Sequence, residues 1–195
     1  MLGRPDALMS AGKPYLLQPV GLDALDITRI EAGLILNGVE FHNAQDCLIE
    51  AQKSTPFELG LGWTVDLQRG PFSGQRALKA EQADGSRYSL VGLELDWEEQ
   101  EAIYAKHGLP VLISTAAWRG GVPVYDSAGS RQIGRATSGT WSPTIKKNLA
   151  LASIKTPYAQ PGTKLRIEHT VEYRREKVAA RVVPRPFYNP EHKKR

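Results

Sequence analysis

From residue 88 onward the chain repeats one pattern, a short β-prone segment followed by a turn. Glycine and proline supply the turns, as in Asp-Ser-Ala-Gly at 126–129 and Gln-Pro-Gly at 160–162. Regular strand spacing with Gly and Pro between the strands predicts a small antiparallel barrel or sandwich. The predicted strands cover residues 88–95, 109–114, 123–125, 132–137, 147–153, 164–169 and 178–183.

The first 85 residues have a more mixed character. Leu22, Leu25 and Ile30 are spaced as in a short helix that runs into a strand. The other predicted elements of this part are a turn at 37–38, a strand at 57–67 and a short helix at 76–78. The sequence therefore predicts an α+β chain that divides near residue 85 and ends in a loose tail.

The composition excludes several classes of protein and site. Cys47 is the single cysteine, so the chain can form neither an internal disulfide nor a multi-thiolate metal site. The four histidines have no metal-ligand spacing, and we predict no metal. No window approaches the roughly 18 apolar residues of a membrane helix, and the first residues do not resemble a signal peptide. We therefore expect a cytoplasmic protein without a membrane partner.

The positive charge of the chain is local. The formal net charge is +4, and much of the excess lies in the segment EYRREK and in the terminal PEHKKR. No basic stripe interleaved with aromatic residues is present, so we predict no nucleic-acid partner. An anionic ligand or an acidic protein partner fits this charge equally well.

Two charged residues are candidates for ligand binding. Along an extended backbone, Arg29 and Glu31 would share one face and Ile30 would take the other. In one interpretation, Glu31 lies on an exposed face or in a structural ion pair. In the other, it lines a pocket and accepts two hydrogen bonds from the edge of a pterin-like ring. Arg69 comes at a strand end, where an arginine is either solvated or available to a ligand carboxylate.

The stretch GRATSGTWSPTIKKN, residues 134–148, concentrates small hydroxyl side chains ahead of an apolar run. Hydroxyls can hydrogen-bond to nearby backbone, which predicts a partly buried structural bend. Lys146 and Lys147 would begin the next strand, either solvated or facing an acidic partner. The hydroxyl-bearing residues are Thr137, Ser138, Thr140, Ser142 and Thr144.

Five blocks, taken in order, resemble the C-terminal half of the T-protein of the glycine cleavage system, the aminomethyltransferase family. They cover residues 21–33, 58–63, 72–78, 134–148 and 186–188. The resemblance implies that residues 1–85 are the C-terminal portion of a folate-binding α/β domain. It implies that residues 86–195 are a small antiparallel β-barrel domain with a short basic tail, the two parts enclosing a central channel.

The same resemblance implies a function. An aminomethyl group on the lipoyl arm of the H-protein would pass its methylene to tetrahydrofolate and release ammonia. Glu31 would hold the pterin edge and Arg69 would contact the folate. The family's catalytic aspartate belongs to the N-terminal half, so no catalytic residue is expected in this chain. Lys146 and Lys147 match a family motif without an assigned role.

Two departures from the family pattern leave alternatives open. The N-terminal half is absent, so we expect a truncated piece or one partner of a split protein, with apolar residues near 34–36 exposed and the fragment prone to homo-oligomerise. The segment 39–56 is longer than the family's Tyr-Gly-x-Asp link. The alternatives are a non-catalytic folate-binding or scaffold protein and a folate-dependent demethylase of the same family.

Overall fold

A computed structural model describes residues 5–191 of the chain. The first part contains three helices, α1 (Pro5–Gly12), α2 (Leu22–Glu31) and α3 (Gln75–Asp84), joined by turns and short 3-10 segments. The second part contains one helix, α4 (Trp97–Lys106), and six strands. The strands are β1 (Tyr88–Leu95), β2 (Trp118–Tyr125), β3 (Gln132–Ser142), β4 (Lys147–Lys155), β5 (Lys164–Val171) and β6 (Arg174–Val183).

The six strands form a closed antiparallel barrel in the order β1-β4-β3-β2-β5-β6. The interior is filled by alternating side chains, as the period of two along a strand requires. On β4, Ala150, Ala152 and Ile154 belong to the interior cluster, and Leu149 and Leu151 alternate with them. All five are 2% exposed or less, so both faces of β4 are covered. The outer cover comes in part from α2, which packs against β3 and β4.

The barrel confirms the main prediction and decides between the two β architectures left open. The strand at 88–95 has the predicted bounds, and five of the others are found with extended ends. The predicted strand at 109–114 is wrong, because that segment pairs with no strand of the barrel; the Leu109 N–H instead donates to the Tyr104 carbonyl of α4 at 3.1 Å. Helix α4 is an additional element; its N-cap is Asp96, whose carboxylate accepts from the Glu99 N–H at 2.9 Å.

The first part departs further from the predictions. Residues 57–67 contain turns and a 3-10 segment at Gly62–Thr64 instead of a strand, whereas the short helix at 76–78 is confirmed as the start of the longer α3. Residues 29–31 belong to the last turn of α2, so their treatment as extended backbone is wrong. A division of the chain near residue 85 stays a prediction. The predicted tail lies largely outside the described residues.

Apolar side chains of the first part are unusually exposed. Leu34 is 61% exposed and Leu36 is 37% exposed, as expected for this segment, and Trp63 is 83% exposed. Large exposed apolar side chains gathered in one part of a chain are candidates for burial against another surface. Within residues 5–191, no helix has the length and apolar character needed to cross a membrane.

Candidate functional site

Glu31 lies at the end of α2, where three parts of the chain meet. Gly33, with φ of +67°, takes the left-handed conformation that stops the helix. The C-terminal segment packs over this turn, because the Tyr188 N–H donates to the Glu31 carbonyl at 2.8 Å. A Cβ on Gly33 would lie 3.2 Å from the Cα of Pro186, so the close approach favours glycine here.

The side chain of Glu31 points into the protein, where it is only 4% exposed. Ser142 Oγ donates to Oε1 at 2.5 Å and Thr144 Oγ1 donates to Oε2 at 3.1 Å. Both hydroxyls come from the hydroxyl-rich stretch, at the end of β3 and in the turn that follows. Within the described residues Glu31 has no ion-pair partner. A carboxylate offers about four acceptor positions, so two hydroxyl donors leave capacity for a further donor.

A second buried carboxylate, Glu40, was not anticipated from the sequence. Its side chain is 0% exposed. Oε1 accepts from Ser138 Oγ at 2.5 Å and from Arg29 Nη1 at 2.9 Å, and Oε2 accepts from the Leu36 N–H at 2.7 Å. Thr137 Oγ1 makes a longer contact of 3.4 Å. Glu40 is therefore fully engaged, and it fixes the turn after α2 onto β3.

Arg29 connects Glu40 to a small charged network. Its Nε donates to Asp26 Oδ1 at 2.7 Å, and Arg119 Nε donates to Asp26 Oδ2 at 2.9 Å. Burial works to raise the pKa of Asp26, but hydrogen bonds from Arg119 and Arg29 and their positive charge hold it below its ordinary value. Arg29 Nη2 is buried without a hydrogen-bond partner among the described residues.

The hydroxyls of the 134–148 stretch therefore have a role beyond the predicted local bend. Thr137 and Thr140 do bond backbone, donating to the carbonyls of Leu151 and Trp141. Ser138, Ser142 and Thr144 instead donate to carboxylates about a hundred residues earlier in the chain. The stretch is thus the surface of the barrel that receives two acidic side chains.

Arg69 is not brought near Glu31 by any described contact. Its side chain is exposed, with the guanidinium carbon 5.6 Å from the centre of the Phe72 ring. Its carbonyl accepts from Gln75 Nε2 at 3.1 Å, which ties the loop to α3. The roles of Glu31 and Arg69 in folate binding stay predictions.

The two lysines of the stretch differ. Lys146 lies in the turn between β3 and β4, with φ of +55°, and is exposed. Lys147 Nζ donates to both carboxylate oxygens of Glu94 at 2.9 Å. A half-exposed pair of this kind contributes little to stability.

A cavity of about 440 Å³ lies beside Glu40, between the segment 50–58 and the barrel. Arg87 and Arg135 line it together with the acidic Glu40 and Glu58. No group of histidine, cysteine and acidic residues among those described could hold a metal ion. The site thus offers hydrogen-bonding and charged groups for an organic ligand.

Comparisons with known proteins match this chain to one domain family and to longer relatives of similar sequence. The family model for the glycine cleavage T-protein C-terminal barrel domain matches residues 89–189. An aminomethyltransferase of Caldanaerobacter subterraneus subsp. tengcongensis is 35% identical over 189 residues, which cover 97% of this chain and 42% of that protein. A trimethylamine-oxide aldolase of Ruegeria pomeroyi is 34% identical over 188 residues, covering 95% of this chain and 20% of that protein.

The crystal structure of the glycine cleavage system aminomethyltransferase T from Bartonella henselae has the same fold. It matches with a TM-score of 0.71 and 25% identity, over 95% of this chain and 44% of that chain. The chain therefore spans less than half the length of these relatives.

Proposed function

Because the chain belongs to the glycine cleavage T-protein family, we propose that it is the folate-orienting part of a tetrahydrofolate-dependent aminomethyltransferase. In the proposed reaction, the carbon–sulfur bond of an aminomethyl group on the lipoyl arm of an H-protein breaks and the sulfur leaves as a thiol. The carbon–nitrogen bond breaks as well, the methylene forms bonds to two nitrogens of tetrahydrofolate, and the two protons that those nitrogens lose go to the thiol and to the ammonia that is released. Holding two reactants in line makes such an encounter effectively intramolecular.

The observation that carries the proposal is the contrast between the two buried carboxylates. Glu40 has a guanidinium, a backbone N–H and a hydroxyl as partners, whereas Glu31 has two neutral hydroxyls. Buried charges are ordinarily paired because isolated ones are costly. An uncompensated carboxylate at 4% exposure is therefore well suited to accept the amino and ring N–H groups of a pterin.

Arg69 is proposed to contact the folate through its guanidinium, which can bind a carboxylate with two parallel hydrogen bonds. Its exposed side chain has no acidic partner among the described residues, so it is available to a ligand. Both residues would orient the folate. The carboxylate that acts on the reacting nitrogen is proposed to come from sequence outside this chain.

The proposed partners are a lipoylated H-protein and the N-terminal half of the family fold, which this chain does not span. The exposed apolar side chains of residues 15–63 supply the surface for that second contact. Self-association through the same surface is the expected behaviour of the chain when this partner is absent.

A second candidate is one-carbon chemistry on a methylated amine. It is supported by the match of 95% of this chain to the trimethylamine-oxide aldolase and by the long segment 39–56. Assays that follow ammonia and methylenetetrahydrofolate with H-protein, beside a panel of methylated amines, separate the two. Folate binding without turnover in either assay would support a non-catalytic role instead.

The experiment that tests the proposal is calorimetric titration of tetrahydrofolate into the native protein and its Glu31→Gln variant. Hydrogen bonds to a charged group contribute about 1.5–3 kcal/mol, so we expect the variant to bind about 10- to 150-fold more weakly. Glu94→Gln, a change on the outer side of the barrel, is the matched control and should leave the affinity unchanged. Unaltered affinity in a folded Glu31→Gln protein would remove Glu31 from the folate site.

A further inference from the structure

Strands β2 and β5 are neighbours in the barrel but pair over a short length. We call the boundary between these two strands the seam. These strands pair only at Val124–Ile167 and Tyr125–Arg166, whereas β5 and β6 pair along their whole length. Beyond Val124 the two strands diverge, and no described backbone hydrogen bond joins 121–123 to 168–170. Unpaired strand edges present backbone N–H and C=O groups that can bind another molecule.

The seam opens into a cavity of about 390 Å³, bounded by these two strands, α4 and the end of β3. We call it the seam pocket. Its volume lies within the range of about 300–1,000 Å³ typical of small-molecule sites. It is separate from the Glu31 site, since Glu31, Glu40 and Arg69 do not line it.

Polar groups converge on the seam pocket from α4 and β5. Gln100 is 3% exposed, and its Oε1 accepts from Asn148 Nδ2 at 2.5 Å. Tyr104 is 8% exposed, and its hydroxyl lies 3.3 Å from His169 Nε2. A few buried polar groups of this kind in a mostly apolar cavity are typical of sites that orient a ligand.

Two tryptophans supply flat walls. Trp118 lies against β3, where a Cβ on Gly139 would be 2.3 Å from its ring, so glycine is required at that position. Trp141 is held by Trp97, with ring centres 5.0 Å apart. Both rings are fixed by packing, and fixed indoles are good surfaces for stacking a planar ring.

The charge of the lining restricts the ligand further. No lysine or arginine lines the described pocket, and Glu168 is its single acidic residue. Burial lowers the pKa of His169, so this imidazole is neutral at pH 7. An anion would therefore lose its hydration without gaining a cationic partner.

We propose that the seam pocket binds a planar nitrogen heterocycle that is uncharged or cationic. Its ring lies against Trp118, and its polar edge pairs with the free backbone of β2 and β5. This inference does not depend on folate binding at Glu31, and Glu31→Gln should leave it unaffected.

The test uses three matched probes on the full chain: nicotinamide (neutral), 1-methylnicotinamide (cationic) and nicotinate (anionic). Amide shifts of the 15N-labelled protein are followed during titration. We expect saturable binding of the first two with a dissociation constant of about 10 mM or lower, the strength expected of fragments this small. The shifts should centre on residues 121, 122 and 168–170, since Pro123 has no amide proton, and nicotinate should bind at least about fivefold more weakly.

Variants make the site assignment sharper. Trp118→Leu should weaken nicotinamide binding at least fivefold, and Trp63→Leu, on the exposed first part, should not change it. Leu112 lines the pocket and is 74% exposed, so its substitution leaves the fold intact. Leu112→Glu should tighten 1-methylnicotinamide binding about three- to fivefold and Leu112→Lys should weaken it similarly, from Coulomb interaction at the rim.

Three results would overturn the proposal. The first is no saturable binding of nicotinamide up to about 50 mM, a concentration well above the dissociation constant expected for such a fragment. The second is an affinity for nicotinate equal to that for nicotinamide. The third is a set of amide shifts centred away from the seam. If Trp118→Leu does not fold, the affinity of the two Leu112 variants for 1-methylnicotinamide tests the proposal instead. Changes in opposite directions would support binding in the seam pocket, and equal changes would count against it.

Discussion

Removal of the Glu40 carboxylate should destabilise the protein strongly, although the residue lies in a loop. Glu40→Ala removes the acceptor for Arg29 Nη1, the Ser138 hydroxyl and the Leu36 N–H. Arg29 is 10% exposed and already has one unpartnered nitrogen, so the variant leaves a buried guanidinium with Asp26 alone. Breaking a buried ion pair typically costs about 3–5 kcal/mol.

The structure places the expected loss near the lower end of that range. Asp26 continues to hold Arg29 at 2.7 Å, which keeps part of the charge compensated. Glu40 also lines the 440 Å³ cavity, which can admit water to the groups that lose their partner. We therefore expect Glu40→Ala to lower the free energy of unfolding by about 3 kcal/mol, a large part of the 5–15 kcal/mol typical of a domain.

Denaturant unfolding followed by circular dichroism measures this loss, and a double-mutant cycle identifies its cause. If the loss comes from the uncompensated guanidinium, Arg29→Met combined with Glu40→Leu should cost less than the two single changes together, because both charges are then absent. The reasoning would be refuted by a Glu40→Ala loss below about 1 kcal/mol, the worth of one ordinary hydrogen bond. Strict additivity in the cycle would refute it equally.

Two further predictions concern the barrel. Burial lowers the pKa of His169, so the unfolded chain binds its proton more readily, and stability should fall as pH drops below about 6.5. The unfolding midpoint, measured between pH 5 and pH 7.5, should depend less steeply on pH in His169→Gln than in the native protein. The control variant His42→Gln, at an exposed position, should leave this dependence unchanged. A steeper pH dependence in His169→Gln would contradict the predicted direction of the pKa shift. A Cβ on Gly134 would lie 2.2 Å from the Ser153 carbonyl oxygen, so Gly134→Ala should cost about 1–3 kcal/mol, whereas Gly120→Ala, in open space, should be near neutral in the same unfolding assay.

The β half of the fold was readable from the sequence because strand signals are local. Alternating apolar residues and Gly or Pro turns marked β1 with its observed bounds and located five of the others. Residues 109–114 carry the same apolar pattern but pair with no barrel strand, and a strand exists only where a partner strand is present. Propensity alone could not distinguish these cases.

The candidate site was readable only in part. Glu31 was identified through the family resemblance, while the local argument for it assumed an extended backbone that is helical in the structure. Glu40 had no signal of its own, since an acidic residue after an Asn-Gly turn ordinarily faces solvent. The hydroxyl-rich stretch carried the missing information, because several small donors in a buried strand require acceptors.

The order of residues along the chain was enough to indicate a series of short antiparallel strands, a mixed first part, and a polar stretch ahead of β4. These features depend on the order of neighbouring residues. The sequence gives no sign that Glu31 and Glu40 lie against hydroxyls 98 to 113 positions away, or that β2 and β5 separate to leave a pocket; both follow from long-range packing. Contacts between distant residues depend on how helices and strands pack against each other. The two carboxylates are buried only because α2 and the turn after it pack against β3.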